Sequence, residues 1–287
     1  MGFTSYDDLI TEMTAGKRLV LPWAKSHTTA PTAALNWYSL WMVGGQPGSG
    51  VFTGTNLNHI RTTDVTAGAL YHGGNKSTDT KHLVYMNALS SAGAISPTLM
   101  LVDMVGFYVL DTYTSTVQFT LVNTTGPDRY ISAGQSGLQA VVISHGTTVA
   151  GTITELTYVD QDGNAGSMPT GVAVALTAGL IGTGTLGSRV ITTLAGPFIP
   201  LAAGDCGMRS ITTATVTETG AIPFRILMVK PLAIIPTPAA GVPGERDLAM
   251  QIANLERVYD GACLSWLAWF GSATATTLSG QCDVAWG

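Results

Sequence analysis

The segment Asp160 to Asn164 (DQDGN) is the most ligand-like pattern of residues in the sequence. Its polar side chains stand at alternate positions, as in loops that bind calcium. The pattern departs from a calcium loop because Ala165 takes the sixth position and Gly171 the twelfth, where such loops carry Gly and Glu. Asp-Gly after an alternating strand is a strong turn former, so a hairpin turn is favoured over an ion site.

Two Gly-rich segments partly match nucleotide-binding patterns. His72 to Thr78 (HGGNKST) lacks the Gly that precedes the Lys of a phosphate loop and has no clear strand before it. Gly182 to Gly187 (GTGTLG) matches the glycine spacing of a dinucleotide site, but no helix signal follows it, and Asp205 stands in a Gly-rich turn. We therefore predict two surface loops and no nucleotide cofactor.

The sequence contains no recognisable catalytic motif. Ser136 lies in GQSG, which is not the GxSxG pattern of a nucleophile elbow. The histidines stand alone, without the spacing of metal ligands: His27, His59, His72, His82 and His145. We expect a protein that is not an enzyme and that holds neither a metal nor a cofactor. Pairing of carboxylates in space, as in glycosidases, stays an open alternative.

The three cysteines are too few and too scattered for a zinc site or a disulfide framework. Cys206, Cys263 and Cys282 fit buried thiols of a protein made in a reducing cytosol. A single bridge between Cys263 and Cys282 remains an alternative.

Charge is scarce in this chain of 287 residues. Asp, Glu, Lys and Arg make up 11% of it, against about 25% in ordinary soluble domains. Interface cores are depleted in Lys, Glu and Asp, so this composition favours a subunit that partner copies cover over a monomer with a Thr-rich surface. The net charge of −5 excludes the basic footprint of a nucleic-acid-binding protein. The apolar run from Ile95 to Leu110 is interrupted and too short to span a membrane, and we interpret it as buried strands.

β-Strand patterns dominate the chain. Residues 5 to 15 predict a short helix with Ser5 as its N-cap and Gly16 after its end. Gly and Pro clusters then separate short apolar or alternating segments, a rhythm typical of a β-sandwich or jelly roll. The predicted strands are residues 18–23 (ended by Pro22), 36–43, 107–122, 138–144, 152–159, 171–178, 188–194, 210–217 and 222–229.

Residues 231 to 287 depart from this strand pattern. Four prolines in residues 231 to 244 predict an extended arm, and the apolar stripe of residues 245 to 259 predicts a helix. We therefore predict an all-β fold with three parts: an N-terminal helix and arm (1–30), a β domain (31–230), and an arm, helix and aromatic tail (231–287). In that tail Trp266, Trp269 and Phe270 belong either to the chain's own core or to a contact between subunits.

A family resemblance is carried mainly by residues 203 to 236, where AGDCGMRSIT is followed by TGAIPFRILMVKPLA. This segment, with the opening YDDLITEMTAGK, resembles virion structural proteins of tailed phages, of the capsid decoration or cement type. It covers about a quarter of the chain. The resemblance implies a structural role in a virion after synthesis in the host cytoplasm, and it transfers no catalytic residue.

From the low charge, the Thr-rich strands and this resemblance we expect a homo-oligomer, with a trimer favoured, that stabilises a phage head by contacts with the major capsid protein or other virion proteins. No contact with nucleic acid or membrane is expected. A tail, baseplate or coat protein of the same kind of virion is one alternative. A glycan-binding or glycan-degrading tail protein is the alternative from a different class.

Overall fold

The computed structural model describes residues 2–27, 35–91, 96–111, 116–132, 134–144, 151–176, 188–189, 196–218, 223–251, 255–272 and 275–287. Within these ranges the chain forms two short helices and strands that pair antiparallel in three sheets. In chain order the elements are α1 (Tyr6–Thr14), β1 (Arg18–His27), β2 (Asn36–Ser39), β3 (Gly45–Gln46), β4 (His59–Arg61), β5 (Lys81–Ser90), β6 (Thr98–Leu110), β7 (Val117–Thr120), β8 (Gln139–Ser144), β9 (Gly151–Asp160), β10 (Ala165–Ser167), β11 (Val174–Leu176), β12 (Ser188–Arg189), β13 (Met208–Glu218), β14 (Phe224–Pro236), β15 (Gly244–Asp247), α2 (Leu248–Gln251), β16 (Arg257–Val258), β17 (Leu264–Phe270) and β18 (Thr276–Trp286).

The three sheets are named here by position and composition. The outer sheet has the order β15-β5-β18-β1-β3, with β16 also on β5. The central sheet has the order β12-β2-β17-β6-β14-β8, with β4 also on β6. The threonine sheet has the order β10-β9-β13-β7, with β11 also on β9.

The outer sheet and the threonine sheet pack side by side on one face of the central sheet. Leu99 and Leu101 of β6 join a core cluster with the outer sheet, whereas Val105 and Tyr108 join a cluster with the threonine sheet. The change from one cluster to the other coincides with a β-bulge at Val105, because Met104 and Gly106 pair with two consecutive residues of β14. The opposite face of the central sheet is covered by Trp41, Phe52 and Ala69.

The all-β prediction and the N-terminal helix are confirmed. Ser5 caps α1, because its Oγ accepts a hydrogen bond from the backbone N of Asp8 at 3.1 Å, while the Asp8 carboxylate accepts from the N of Thr4 at 2.9 Å. The first bond satisfies an amide that the first helical turn leaves open, and the second fixes the residue before the cap. Gly16 follows the helix with a positive φ of 89°, which a glycine adopts without strain.

The prediction that Pro22 ends the first strand is wrong, because β1 continues to His27. Ser26 donates its backbone N–H to Gly44 O, on the side of the strand where β3 lies. Backbone direction alternates along a strand, so the missing N–H of Pro22 falls on that same side. There β3 pairs only with Ala24 and Lys25, and the strand loses no ladder bond at Pro22.

The predicted arm of residues 231 to 244 is also wrong over its first part. Strand β14 runs on to Pro236 and keeps pairing with β6, with Pro231 opposite Val102. Pairing with β8 ends at Val229, so β14 has one open side among the described pairings when it reaches Pro231. Proline is tolerated on such an edge.

The predicted helix of residues 245 to 259 is replaced by β15, the four-residue α2 and β16. Residues 244 to 247 and 257 to 258 pair with β5, so backbone pairing at the sheet edge overrides the helical pattern. Leu248 is buried in the core beneath the outer sheet. The apolar stripe thus reflects packing onto that sheet.

The predicted aromatic tail consists of sheet strands. Strand β17 lies between β2 and β6, and β18 lies between β1 and β5. The outer sheet therefore combines strands from all three predicted parts of the chain. Similarly, the predicted strand of residues 107 to 122 is divided between the end of β6, buried on both faces, and the alternating β7.

Candidate protein interface and polar clusters

The outward face of the threonine sheet is an extended polar surface that is rich in threonine. Ile153 and Leu156 of β9 and Ala214 and Val216 of β13 point into the core. Because side chains alternate across a strand, their neighbours point outward. This threonine face comprises Gln118, Thr120, Thr152, Thr154, Glu155, Thr157, Thr212, Thr213, Thr215 and Thr217.

Two of the three register shifts between β9 and β13 enlarge the threonine face. Thr213 pairs with Thr157 directly after the pair Ile211–Tyr158, which leaves Thr212 as an extra residue of β13. A second register shift leaves Thr154 as an extra residue of β9. A bulge adds a side chain to one face and increases the local twist, so each of these bulges adds a threonine to the outer surface.

Hydroxyl groups link the strands across this face. Thr157 Oγ1 lies 2.7 Å from Thr212 Oγ1 and 2.6 Å from Thr213 Oγ1. Thr215 Oγ1 donates to Glu155 Oε2 at 3.2 Å. Among these ten residues Glu155 alone is charged, so a partner protein that covers them has to desolvate one carboxylate only. A third register shift leaves Arg209 at the end of the face beside the β9–β10 turn, where its guanidinium already donates to Gln161 O at 2.8 Å.

The segment Asp160 to Asn164 forms the predicted hairpin turn between β9 and β10. Asp160 Oδ1 accepts hydrogen bonds from the backbone N of Asp162 at 2.7 Å and of Asn164 at 2.8 Å. Burial acts to raise the pKa of Asp160, but the hydrogen bonds from Asn164 and Asp162 outweigh it and the pKa is lowered. The carboxylate stabilises its own turn, and the described residues contain no group of three potential metal ligands.

The loop from His72 to Thr78 surrounds a buried polar cluster. His72 and Lys81 are both buried, and Lys81 Nζ lies 2.9 Å from His72 Nδ1. Lys81 also pairs with Asp260 at 3.0 Å, while Lys76 lies over the ring of Trp286. Lys76, the lysine of the phosphate-loop pattern, therefore makes a cation–π contact with Trp286.

Ser136 lies beside a shallow hollow of about 330 Å³ between β8 and β14. The ammonium of Lys230 donates to Ser136 Oγ, and Cys206 Sγ lies 3.8 Å from Ser136 O. No histidine lines this hollow among the described residues. His145 and the segment from Gly182 to Gly187 lie outside the described residues.

The structure places the three predicted aromatic contact residues on β17. Trp266 and Phe270 lie in the chain's own core, 1% and 0% exposed, and the ring of Trp266 packs at a tilt against Trp23 with 4.4 Å between ring centroids. Trp269 is partly buried. Own-core packing, one of the two alternatives from the sequence, accounts for Trp266 and Phe270, and a contact with another subunit stays a prediction for Trp269.

A buried ion pair was not predicted from the sequence. Arg129 binds Asp103 through two hydrogen bonds of 2.9 Å, and Asp103 Oδ1 also accepts from the backbone N of Cys263 at 2.8 Å. The sequence signal was Asp103 itself, a lone acid in an otherwise apolar strand. Such an acid needs a partner, but sequence spacing does not identify Arg129 as that partner.

No described helix has the length and apolar character needed to cross a membrane. The described cysteines are unpaired: Cys206 is exposed, and Cys263 and Cys282 are buried. Burial raises the pKa of both buried thiols. The sequence prediction of buried thiols is therefore confirmed for Cys263 and Cys282 and wrong for Cys206.

No protein-family model matches the chain, and no curated protein matches it. Among solved structures the chain is similar to a protein in a structure of infectious bursal disease virus, Gx strain, with 10% identity over 94% of this chain and 80% of that chain and a TM-score of 0.19. It is also similar to the crystal structure of the VP2 subviral particle of the same virus, with 9% identity over 93% and 80% of the two chains and a TM-score of 0.20. At these TM-scores the similarity establishes neither a shared fold nor a function.

Proposed function

We propose that the chain is a structural subunit of a virus particle, and that it stabilises the head of a tailed phage as a decoration or cement protein. The observation that carries the proposal is the threonine face, an extended β surface of ten residues among which only Glu155 is charged. Interface cores are depleted in Lys, Glu and Asp, and this face shares that depletion. The low charge of the whole chain, 11%, supports the same reading.

The mechanism is burial of the threonine face against other protein. Threonine offers hydroxyl groups for hydrogen bonds and methyl groups for packing, and it carries no charge that has to be desolvated. The cross-strand bonds of Thr157 with Thr212 and Thr213 hold three of these hydroxyls in place before association. Preorganised side chains lose less conformational entropy on binding. The expected partners are further copies of this chain, with a trimer favoured, and the major capsid protein.

Charge placed on the threonine face tests the mechanism. Thr120 and Thr154 are exposed there, and the double variant Thr120→Lys/Thr154→Lys is expected to lower the oligomer fraction seen by native mass spectrometry by at least about tenfold, because buried unpaired ammonium groups are costly. The matched control is Thr53→Lys/Thr55→Lys, which adds the same charge at exposed threonines outside the sheets. Equal oligomer fractions in the two variants would contradict the use of this face.

Location on the particle tests the finer assignment. Purified particles from a producing culture are labelled with a gold-conjugated antibody against the chain and imaged. Label over heads, with fewer copies than the dominant shell band, supports decoration. Label over tails favours the tail or baseplate alternative, and a chain that is itself the dominant band favours the coat alternative. A monodisperse monomer that is absent from particles would overturn the structural role, and turnover of capsule or cell-wall glycans would favour the enzyme alternative.

A further inference from the structure

The buried side chain of His72 has a defined hydrogen-bonding state. Its Nε2 lies 2.9 Å from Ala262 O, and its Nδ1 lies 2.9 Å from Lys81 Nζ. A carbonyl oxygen only accepts and an ammonium only donates. His72 is therefore neutral, with the proton on Nε2 and the lone pair of Nδ1 facing the ammonium.

Lys81 connects this histidine to two further segments. Its side chain is fully buried and donates to Gly74 O as well as pairing with Asp260 Oδ1 at 3.0 Å. Asp260 Oδ1 also accepts from the backbone N of Lys76 at 3.4 Å. The cluster thus joins the loop of residues 72 to 79, the start of β5 and the turn before β17.

The same corner holds the C-terminal end of the described chain. Thr80 N donates to Gly287 O at 2.9 Å, and the ammonium of Lys76 lies 4.2 Å from the ring centroid of Trp286. Trp286 also pairs with Lys81 in the ladder between β18 and β5. Any rearrangement of the loop is therefore transmitted directly to the end of β18.

We propose that His72, Lys81 and Asp260 form an acid-sensitive latch that holds the loop of residues 72 to 79 over the end of β18. When His72 Nδ1 binds a proton, it becomes a donor and can no longer accept the hydrogen bond from Lys81 Nζ. Two positive charges then lie 2.9 Å apart in a buried site. The loop and the turn have to separate so that water can solvate the new charge. The latch is independent of the proposed role in a particle.

The charges around His72 act in opposite directions. Lys81 from β5 disfavours the protonated ring, whereas Asp64 from the preceding loop and Asp103 from β6 favour it. Burial is the largest influence, and together with Lys81 it holds the pKa of His72 below the ordinary 6.5. Asp260 and Lys76 act on the neighbouring ammonium of Lys81, the first favouring its charge and the second opposing it.

The direction of the pH dependence follows from this shift. Because closing the latch lowers the pKa of His72, the neutral ring stabilises the closed form, and this stabilisation is complete above pH 6.5. As the pH falls below 6.5, the open form takes up a proton that the closed form resists, so the latch loosens progressively towards the lowered pKa. Each unit of lowering corresponds to about a tenfold change in the opening equilibrium.

Hydrogen exchange of the full chain, corrected for intrinsic rates, measures the opening. Between pH 7 and pH 5 we expect exchange of the peptides covering residues 72–80 and 280–287 to rise by about tenfold more than that of central-sheet peptides. His72→Gln keeps a donor and an acceptor but cannot titrate, so its exchange should lack this rise. The matched control is His82→Gln, on the same strand as Lys81, whose Nδ1 lies near Leu255 O and which is outside the latch. This control should keep the rise.

A flat response in the wild type, or a rise that persists in His72→Gln, would overturn the proposal. If His72→Gln does not fold, ¹⁵N NMR of the wild-type histidine rings decides instead. The expected spectrum shows His72 as the neutral Nε2–H tautomer at pH 7 with a pKa below 6.5. A His72 pKa at or above 6.5, or the Nδ1–H tautomer, would overturn the latch.

Discussion

Asp103 and Arg129 form a two-pronged ion pair at the boundary between the two core clusters on the shared face of the central sheet, with both N–O distances at 2.9 Å. Asp103 stands on β6 between Leu101, which belongs to the cluster under the outer sheet, and Val105, which belongs to the cluster under the threonine sheet. The pair is nearly dry, since the side chains of Arg129 and Asp103 are 5% and 0% exposed. A polar bridge thus joins the two halves of the molecule where apolar packing changes from one sheet to the other.

Breaking this bridge on one side is expected to be costly. Arg129→Met leaves the Asp103 carboxylate buried without its counter-charge, and we expect a loss of about 3–5 kcal/mol in the free energy of unfolding, measured by urea denaturation. Arg61→Met removes the exposed pair of Arg61 with Asp128 at 3.5 Å and should cost less than about 1 kcal/mol. The double variant Arg129→Met/Asp103→Asn, which removes both charges, should recover part of the loss. Similar losses for Arg129→Met and Arg61→Met would contradict a structural role for the buried pair.

A second prediction concerns the close approach of β4 to β6. A Cβ at Gly106 would overlap the ring of His59 and the carbonyl oxygen of Ile60. Gly106→Ala is therefore expected to cost about 1–3 kcal/mol in the free energy of unfolding, because the pair of strands has to move apart. Gly44→Ala is the matched control, since a Cβ there meets nothing within 4 Å. Thermal unfolding that is equally affected by both substitutions would argue against a close approach at Gly106.

The sequence correctly predicted the features that depend on interactions between residues close together in the chain. The cap of α1 by Ser5 and the turn from Asp160 to Asn164 were predictable because each is closed by hydrogen bonds within four residues along the chain. Buried strands such as β8 were predictable from continuous apolar runs. The bulges at Thr154 and Thr212 were not, because they depend on the register between two strands that lie far apart in the sequence.

Where the predicted elements were wrong, pairing between strands that are distant in the sequence determined the structure. Residues 245–247 begin the predicted helix, but together with Gly244 they add a strand to β5, whose edge offers unpaired backbone groups. Pro22 was expected to end a strand and Pro231 to begin an arm, yet both lie within strands, where one side has no neighbour among the described pairings. The threonine face was predictable in composition only. Which threonines share a surface follows from the pairing of β9, β13 and β7.

The acid stability of the chain should depend on His59, which is buried against Tyr108 with a distance of 5.0 Å between ring centroids. Burial lowers the pKa of His59 to about 4, against 6.5 in a solvated chain. The stabilisation is complete above pH 6.5 and is lost as the pH falls towards 4, by about 3 kcal/mol for this group alone. His59→Asn, which can keep the donor to Thr125 O but does not titrate, should show a smaller decrease in unfolding free energy from pH 7 to 4.5. Parallel decreases in both proteins would show that His59 does not carry this dependence.

The three thiols provide a test of the core that does not depend on stability. Cys206 is exposed, whereas Cys263 and Cys282 are buried and burial raises the pKa of each. Because the thiolate is the reactive form, Ellman's reagent should titrate one thiol in the native protein and all three in urea. Cys206→Ser should remove the native signal. Cys263 lies among the side chains that cover the central sheet, whereas Cys282 lies in the core cluster beneath the outer sheet. If only one thiol reacted in urea without reductant, Cys263 and Cys282 would form a disulfide bridge, which would contradict their placement in separate clusters.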